Sequence, residues 1–262
     1  MTKTKYFLYA FKTKNGKKFN YWYETDLKYF QAKKPPQYIL NKNKTIKDID
    51  SFEKIENPWL NWDSNNIQLI TTKQGICINY LKITNHDLIQ KEENLKLLEL
   101  YEDIVKNFDI SKNFGFEIVK KWHKTIFKDI YPFAGKLRSV EMSKGSDIEA
   151  WTWKLSFIEY LPQLDNMIFK ISKKRYEDIE EITSDLSKLI SDFLFIHPFR
   201  EGNGRLSRLL SDLILAKNGF PMIGLNLKKE DNYIEKIHQG YLANYEPLQQ
   251  LLKEKLLYAM KR

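Results

Sequence analysis

From residue 84 to residue 260 the apolar residues recur at the three- and four-residue spacing of amphipathic helices, and one short stretch interrupts that rhythm. "TNHDLIQKEENLKLLELYEDIVKNF" carries Leu88, Leu95, Leu98 and Tyr101 among its apolar positions, with charges opposite, and Thr84 or Asn85 precedes it as a cap. "FGFEIVKKWHKTIFKDIY" predicts a second helix ending near Pro132. Helical spacing then holds over 153–171, 179–196, 204–218, 229–238 and 245–260. Between them "RSVEMSKGSDIEAW" is β-rich and turns at a glycine, which predicts a small hairpin. The interruption is "FIHPFREGNGRLSR", residues 195–208. A chain of this pattern folds as a mostly α body.

The first 83 residues read differently. "YFLYAF" and "KKFNYWYE" are aromatic runs of strand composition, joined through Asn15-Gly16, a pair suited to a tight hairpin turn. "KKPPQ" excludes helix at 33–37. A second strand pair is expected in "IQLITTKQGICINYL", turning at Gln74-Gly75. Residues 1–47 hold twelve lysines against Glu24 and Asp26, a charge of +10. The whole chain of 262 residues carries +9, so residues 48–262 stand at −1. The expected organisation is a basic, aromatic β-containing extension over 1–83 and a helical domain over 84–262.

An apolar fraction of 42% supports a true core and argues against a disordered chain. No apolar run is long enough to span a bilayer, so no membrane role is expected. "MTKTKYFLYAFKTK" lacks a small-residue cleavage site, so it does not read as a secretory leader. The single cysteine, Cys77, excludes an internal disulfide and suits a reducing compartment, the cytoplasm. As a small apolar side chain it belongs in the core.

The interruption carries the chemistry. A helix must end at His197, because the residue before a proline is pushed out of the α region. Phe199 is the apolar plug that holds the turn to the core. Gly202-Asn203-Gly204 allows close approach of backbone N–H groups, and a new helix follows at once, which makes an anion site. Arg205 and Arg208 lie three apart on one helix face, where guanidinium forks suit phosphate oxygens. Glu201 beside an anion site is explained by a divalent cation, since Mg²⁺ is usually held by one carboxylate plus substrate phosphates. His197 is the group able to accept a proton near neutral pH. Base, metal carboxylate, anion cradle and arginines describe a metal-assisted phosphate site. A dinucleotide-binding turn is excluded because no strand precedes the glycines and the third glycine is absent, and no P-loop lysine is present. His86, His123 and His238 have no partners at metal spacing and read as ordinary helix residues.

"HPFREGNGRLSR" resembles, at every defining position, the signature HPFx(D/E)GNGRxxR of the Fic domain family. "DIYPFAGKLRSVEMSKG" is similar to that family's helix end and flap hairpin. "YIEKIHQGYLANYEPLQQLL" is similar to its C-terminal helices. The resemblance covers about residues 84–258 and implies a Fic-type helical bundle with a small β-hairpin flap. It implies AMP transfer from ATP to a Ser, Thr or Tyr hydroxyl of a target protein. Carried over, His197 is the general base and Glu201 holds Mg²⁺. Gly202, Asn203 and Gly204 bind the α- and β-phosphates, and Arg205 and Arg208 hold the β- and γ-phosphates. The flap at Ser143, Lys144 and Gly145 aligns the target segment. Gly204 and Arg208 are both present, which favours AMP over phosphate as the transferred group and leaves another nucleotidyl group open.

Two further readings accompany this one. The lysines interleaved with Tyr6, Phe7, Tyr9, Tyr21, Trp22 and Tyr23 suit nucleic acid by pairing phosphates and stacking bases. They equally suit a hairpin with packed aromatics and solvated lysines, or a docking element for a target or an antitoxin-like inhibitory partner. Many Fic proteins also carry a restraining helix, (S/T)xxxE(G/N), whose glutamate pairs with the second motif arginine. The nearest match is "IQKEEN", where Glu93-Asn94 fits and Ile89 replaces the hydroxyl. The resemblance therefore implies that Glu93, if it reaches Arg208, restrains activity only weakly, with inhibition left to a separate protein.

Overall fold

The computed structural model describes residues 7–12, 18–23, 29–31, 65–143, 150–151, 156–224, 227 and 232–261. The chain divides into two compact units, Met1–Ile89 with Asp129–Pro132, and Gln90–Lys128 with Phe133–Arg262.

In the first unit, strands β1 (Phe7–Lys12), β2 (Lys18–Tyr23) and β3 (Tyr29–Gln31) form an antiparallel sheet in the order β1-β2-β3. The register pairs Phe7 with Tyr23 and Lys12 with Lys18, the hairpin expected from the two aromatic runs. Its Asn15-Gly16 turn and the diproline segment lie outside the described residues, and β3 had no sequence signal. The strand pair expected at 67–81 is reduced to one bridge between Thr71 and Cys77. Gly75 does turn the chain, at φ 82, with the Thr72 N–H donating to the Ile76 carbonyl at 2.8 Å. The ladder stops because Asn79 takes over. Its side chain donates to the carbonyls of Cys77 and Ile83 and accepts from the Ile83 N–H, so local side-chain bonds replace strand pairing. Cys77 is buried, as its apolar character required.

Helix α1 (His86–Asn107) starts under an Asn85 side chain that accepts from the N–H groups of Asp87 and Leu88. Its buried face is not the expected one. Leu88, Leu95 and Leu98 are exposed at 55%, 46% and 48%, while Leu97, Leu100, Tyr101 and Ile104 are buried. The true inward stripe runs 89, 93, 97, 100, 101, 104, and its second member is a glutamate. Reading Glu93 as a surface charge rotates the apolar face away from its real position. The charge is tolerated inside because a cation meets it there.

The second unit is helical. It contains α2 (Phe116–Phe127), α3 (Leu161–Lys173), α4 (Ile179–Ile196), α5 (Asn203–Lys217), α6 (Tyr233–Tyr241) and α7 (Glu246–Met260). A two-stranded hairpin, β4 (Met142–Ser143) with β5 (Ala150–Trp151), stands between α2 and α3. Helix α4 begins at an Asp178 cap, whose carboxylate accepts from the Glu180 N–H at 2.9 Å. It is the central element: α3, α5, α6 and α7 all pack on it. Ile182, Leu186, Leu189, Ile190 and Phe193 are almost wholly removed from water along its length. At these exposures each such side chain contributes about 1.5–3 kcal/mol of transfer free energy. Helix α6 approaches α4 closely because Gly240 faces Ser191, where any Cβ would collide with the serine hydroxyl. The resulting mostly α architecture is the fold class expected from periodicity. Among the described residues no helix is long and apolar enough to cross a membrane.

Candidate active site

The site forms where α4 stops and α5 starts. Helix α4 ends at Ile196, and His197 is its cap, with its N–H donating to the Phe193 carbonyl at 2.9 Å. Pro198 ends the helix as expected, yet His197 is not extended. It adopts φ 50, ψ 61, the left-handed region, at a cost of roughly 1–3 kcal/mol for a non-glycine residue. Its Nδ1 lies 3.1 Å from the Leu194 carbonyl. A carbonyl only accepts, so Nδ1 carries the hydrogen and Nε2 carries the lone pair. This is the tautomer a general base needs at Nε2.

Three contacts stabilise the strained turn. Phe199 is fully buried, stacked on His123 at 4.1 Å and on Phe116 at 5.7 Å, the plug its position predicted. Asn203 is buried, with its side-chain oxygen accepting from the Phe199 N–H and its amide donating to the Phe199 carbonyl. Its side chain therefore stitches the loop, leaving its backbone N–H as its only group for an anion. The third contact is Arg138, described below, which no sequence motif had singled out.

Gly202 caps α5 at φ 82, and a Cβ there would run into the Phe127 ring, so glycine is required twice over. Gly204 has open space where its Cβ would stand. Gly202 accepts from the N–H groups of Arg205 and Leu206, which closes the first turn. Among the described residues no acceptor meets the N–H groups of Asn203 and Gly204, as expected for the first turn of a helix. Open N–H groups and the helix dipole make this end an anion cradle.

The two arginines have different surroundings. Arg205 places Nη1 2.7 Å from Glu93 Oε2, with both side chains largely buried, and lies over the Phe127 ring at 5.4 Å. Glu93 thus meets the first motif arginine and not Arg208, which corrects the expected pairing. Arg208 makes no hydrogen bond or ion pair among the described residues, and its charge acts on Tyr101, Asp212 and Tyr233. Asp212, one turn further along α5, accepts from the Tyr101 hydroxyl at 2.7 Å and from the N–H groups of Ile223 and Gly224. Burial raises the Asp212 carboxyl above the usual carboxylate range. The two arginines therefore differ in their partners: one is masked by an acid, and the other is left available among the described residues.

Glu201 is 37% exposed, with Oε1 4.0 Å from Arg200 Nη1. The described residues hold no cluster of three or more metal-ligating side chains. A single carboxylate at the mouth of an anion cradle is nevertheless what Mg²⁺ uses when substrate phosphates supply its other ligands, so the donor set fits. Of the expected flap residues, Ser143 ends β4, and Lys144 and Gly145 lie outside the described residues.

His123 was expected to be an ordinary helix residue and is instead a buried support for the loop. Its Nδ1 accepts from the Gly135 N–H at 2.7 Å, and burial pushes its pKa from 6.5 to about 3. Between those values the unfolded chain binds a proton that the folded chain refuses. Stability is therefore full above the unfolded pKa and is lost as pH falls toward the folded one. Urea unfolding should lose up to about 1.4 kcal/mol per pH unit from this residue below about pH 6. His123→Gln, which keeps an acceptor for Gly135, should flatten that part of the profile. An unchanged slope would place the acid sensitivity elsewhere.

The family model for Fic/DOC matches residues 113–215. The protein adenylyltransferase VbhT of Bartonella schoenbuchensis is 24% identical over 196 residues, 74% of this chain and 40% of that protein. The protein adenylyltransferase Fic of Nematostella vectensis is 26% identical over 168 residues, 64% of this chain and 34% of that protein. The chain thus spans well under half the length of both relatives. Among solved structures, the N-terminal FIC domain of Bep8 from Bartonella sp. 1-1C superposes with a TM-score of 0.61 at 14% identity, over 70% of this chain and 91% of that one. BepC from Bartonella tribocorum, solved with bound AMPPNP, gives 0.57 at 16% identity, over 68% and 90%. Motif, helix order and family match agree in direction: residues 113–215 of this chain match the Fic/DOC family model, and the helical fold around them resembles that of solved FIC domains.

Proposed function

We propose that this protein transfers AMP from ATP to a hydroxyl of a target protein. The observation that carries the reading is the junction of α4 and α5, where a histidine with its lone pair on Nε2 sits beside an open helix N-terminus. The names of the relatives support it. His197 Nε2 takes the proton of a Ser, Thr or Tyr hydroxyl as its oxygen bonds to the α-phosphorus. The bond from that phosphorus to the bridging oxygen breaks, and pyrophosphate leaves. The N–H groups of Asn203 and Gly204 receive phosphate oxygens, and Arg208 receives the γ-phosphate. Glu201 would hold Mg²⁺, which would supply charge neutralisation on the phosphates. The cytoplasm suits a chain whose one cysteine is a buried thiol outside any disulfide.

Glu93 enters this reading as the group that masks Arg205. Productive seating of the β-phosphate requires the Arg205 guanidinium to leave the carboxylate, so restraint lies within the chain. A separate inhibitory protein is then not needed to block the cradle.

The experiment is intact-mass analysis of the protein and of candidate targets after incubation with ATP and Mg²⁺. A gain equal to AMP is expected. A gain equal to phosphate, or none with any target and with Glu93 replaced, would overturn the proposal. Two variants refine it. Arg208→Ala should weaken ATP by several-fold more than ADP, read by calorimetry, and equal weakening would remove Arg208 from the γ-phosphate. Glu201→Ala should erase the effect of Mg²⁺ on ATP affinity, and a retained Mg²⁺ effect would place the ion on another group.

A further inference from the structure

Arg138 is the largest fully buried side chain among the described residues, and nothing in the transfer chemistry described so far uses it. Its guanidinium is aimed at one place. Nε donates to the His197 carbonyl at 2.7 Å, Nη2 to the Ile196 carbonyl at 3.2 Å, and Nη1 to the Val140 carbonyl at 2.9 Å. Its own backbone N–H donates to the Pro198 carbonyl at 2.9 Å, and its guanidinium lies 5.2 Å from the centre of the Phe157 ring. Three successive carbonyls, of Ile196, His197 and Pro198, are thus bound by one residue.

Those carbonyls have a common problem. They belong to the end of α4, where the last C=O groups of a helix lose their partners. Their partial negative charge favours a cation. They also flank the left-handed His197, whose conformation persists only if its surroundings impose it. A lysine would bring a compact ammonium on a flexible stem. The planar fork of arginine fixes the relative orientation of several acceptors. The same fork holds Val140, two residues before β4, so the strand entering the hairpin and the histidine turn share a single clamp.

We propose that Arg138 is a positioning residue for His197: it holds the turn left-handed, and so keeps the imidazole on the Leu194 carbonyl with its lone pair on Nε2. The inference rests on the AMP-transfer reading for its kinetic consequence, and on geometry alone for the tautomer. It predicts a separation of effects. Arg138 touches none of the residues that receive phosphate, so its loss should slow transfer while leaving ATP affinity in place.

The test compares the full chain with Arg138→Lys and Arg138→Met in the Glu93→Gln background, so that transfer is measured without restraint. Transfer turnover should fall about tenfold in Arg138→Lys and about a hundredfold in Arg138→Met, the range for misplacing a catalytic group by about 1 Å. The ATP KM should stay within about twofold, since the cradle is untouched. Imidazole ¹⁵N shifts of His197 should report the Nδ1–H form in the parent and a shift toward Nε2–H in Arg138→Met. Should Arg138→Met fail to fold, Arg138→Lys carries the comparison. Unchanged turnover with an unchanged tautomer would overturn the proposal. So would a loss that follows the folded fraction, with ATP affinity falling in step, because that is what a purely structural residue does. If the Glu93→Gln parent transfers nothing to any target, the AMP-transfer reading fails, and the ¹⁵N shifts alone still decide Arg138.

Discussion

His197→Ala should abolish transfer while leaving ATP binding almost intact. In the proposed reaction the imidazole acts on the target hydroxyl, and its Nδ1 is bound to the Leu194 carbonyl and not to the groups assigned to phosphate. Removing a general base lowers the rate by about 10²–10⁴-fold. The structure adds a reason to expect the upper part of that range. The Nδ1 bond to the Leu194 carbonyl, the stacked Phe199 plug and the Asn203 stitch all keep the ring in one orientation. A base held this firmly is not replaced by a passing water. The check is transfer measured beside calorimetric ATP affinity for the variant and its parent. Retained transfer would remove His197 from the proton path, and a parallel loss of ATP affinity would make it a binding group. His197→Asn sharpens the distinction, because its amide can still bond to the Leu194 carbonyl but has no basic nitrogen.

The motif made the junction of α4 and α5 legible because each residue there is explained by a local rule. Proline stops a helix, glycine permits φ 82 at Gly202, and arginines three apart share a face. What stayed hidden were contacts between residues far apart in sequence. Arg138 reads as one basic residue in a β-rich segment, and nothing nearby shows that three carbonyls some sixty residues away need it. Asp212 reads as a polar residue on α5, although it joins Tyr101 to the backbone at Ile223 and Gly224. Even the face of α1 was misjudged, for the same reason. A pattern of apolar spacing cannot count a buried glutamate whose partner is Arg205, 112 positions along the chain. Local chemistry is written locally, and buried charge pairs are written in two places at once.

That pair sets the last expectation. Glu93→Gly should raise transfer by about tenfold to a hundredfold, equal to about 1.4–2.7 kcal/mol of restraint at the transition state. The Glu93 carboxylate holds Arg205 at 2.7 Å with both side chains largely out of water, where an ion pair is screened little by solvent. A phosphate that needs the same guanidinium must first displace it. Removing the acid also has a cost, because breaking a buried pair leaves the remaining charge uncompensated. Here the cost is softened, since Arg205 keeps the Phe127 ring at 5.4 Å and some access to water. Two signatures follow together. Without nucleotide the variant should melt below the parent, and ATP should stabilise it by a larger increment than it stabilises the parent, since a phosphate then supplies the missing negative charge. Glu93→Gln separates charge from helix propensity, because glycine within a helix costs about 1 kcal/mol relative to alanine and glutamine costs far less. Glutamine should give most of the activation with less of the melting loss. Activation absent in both variants would make the Glu93–Arg205 pair a structural strut of α1 against α5, and the source of restraint would then have to be sought in a second protein.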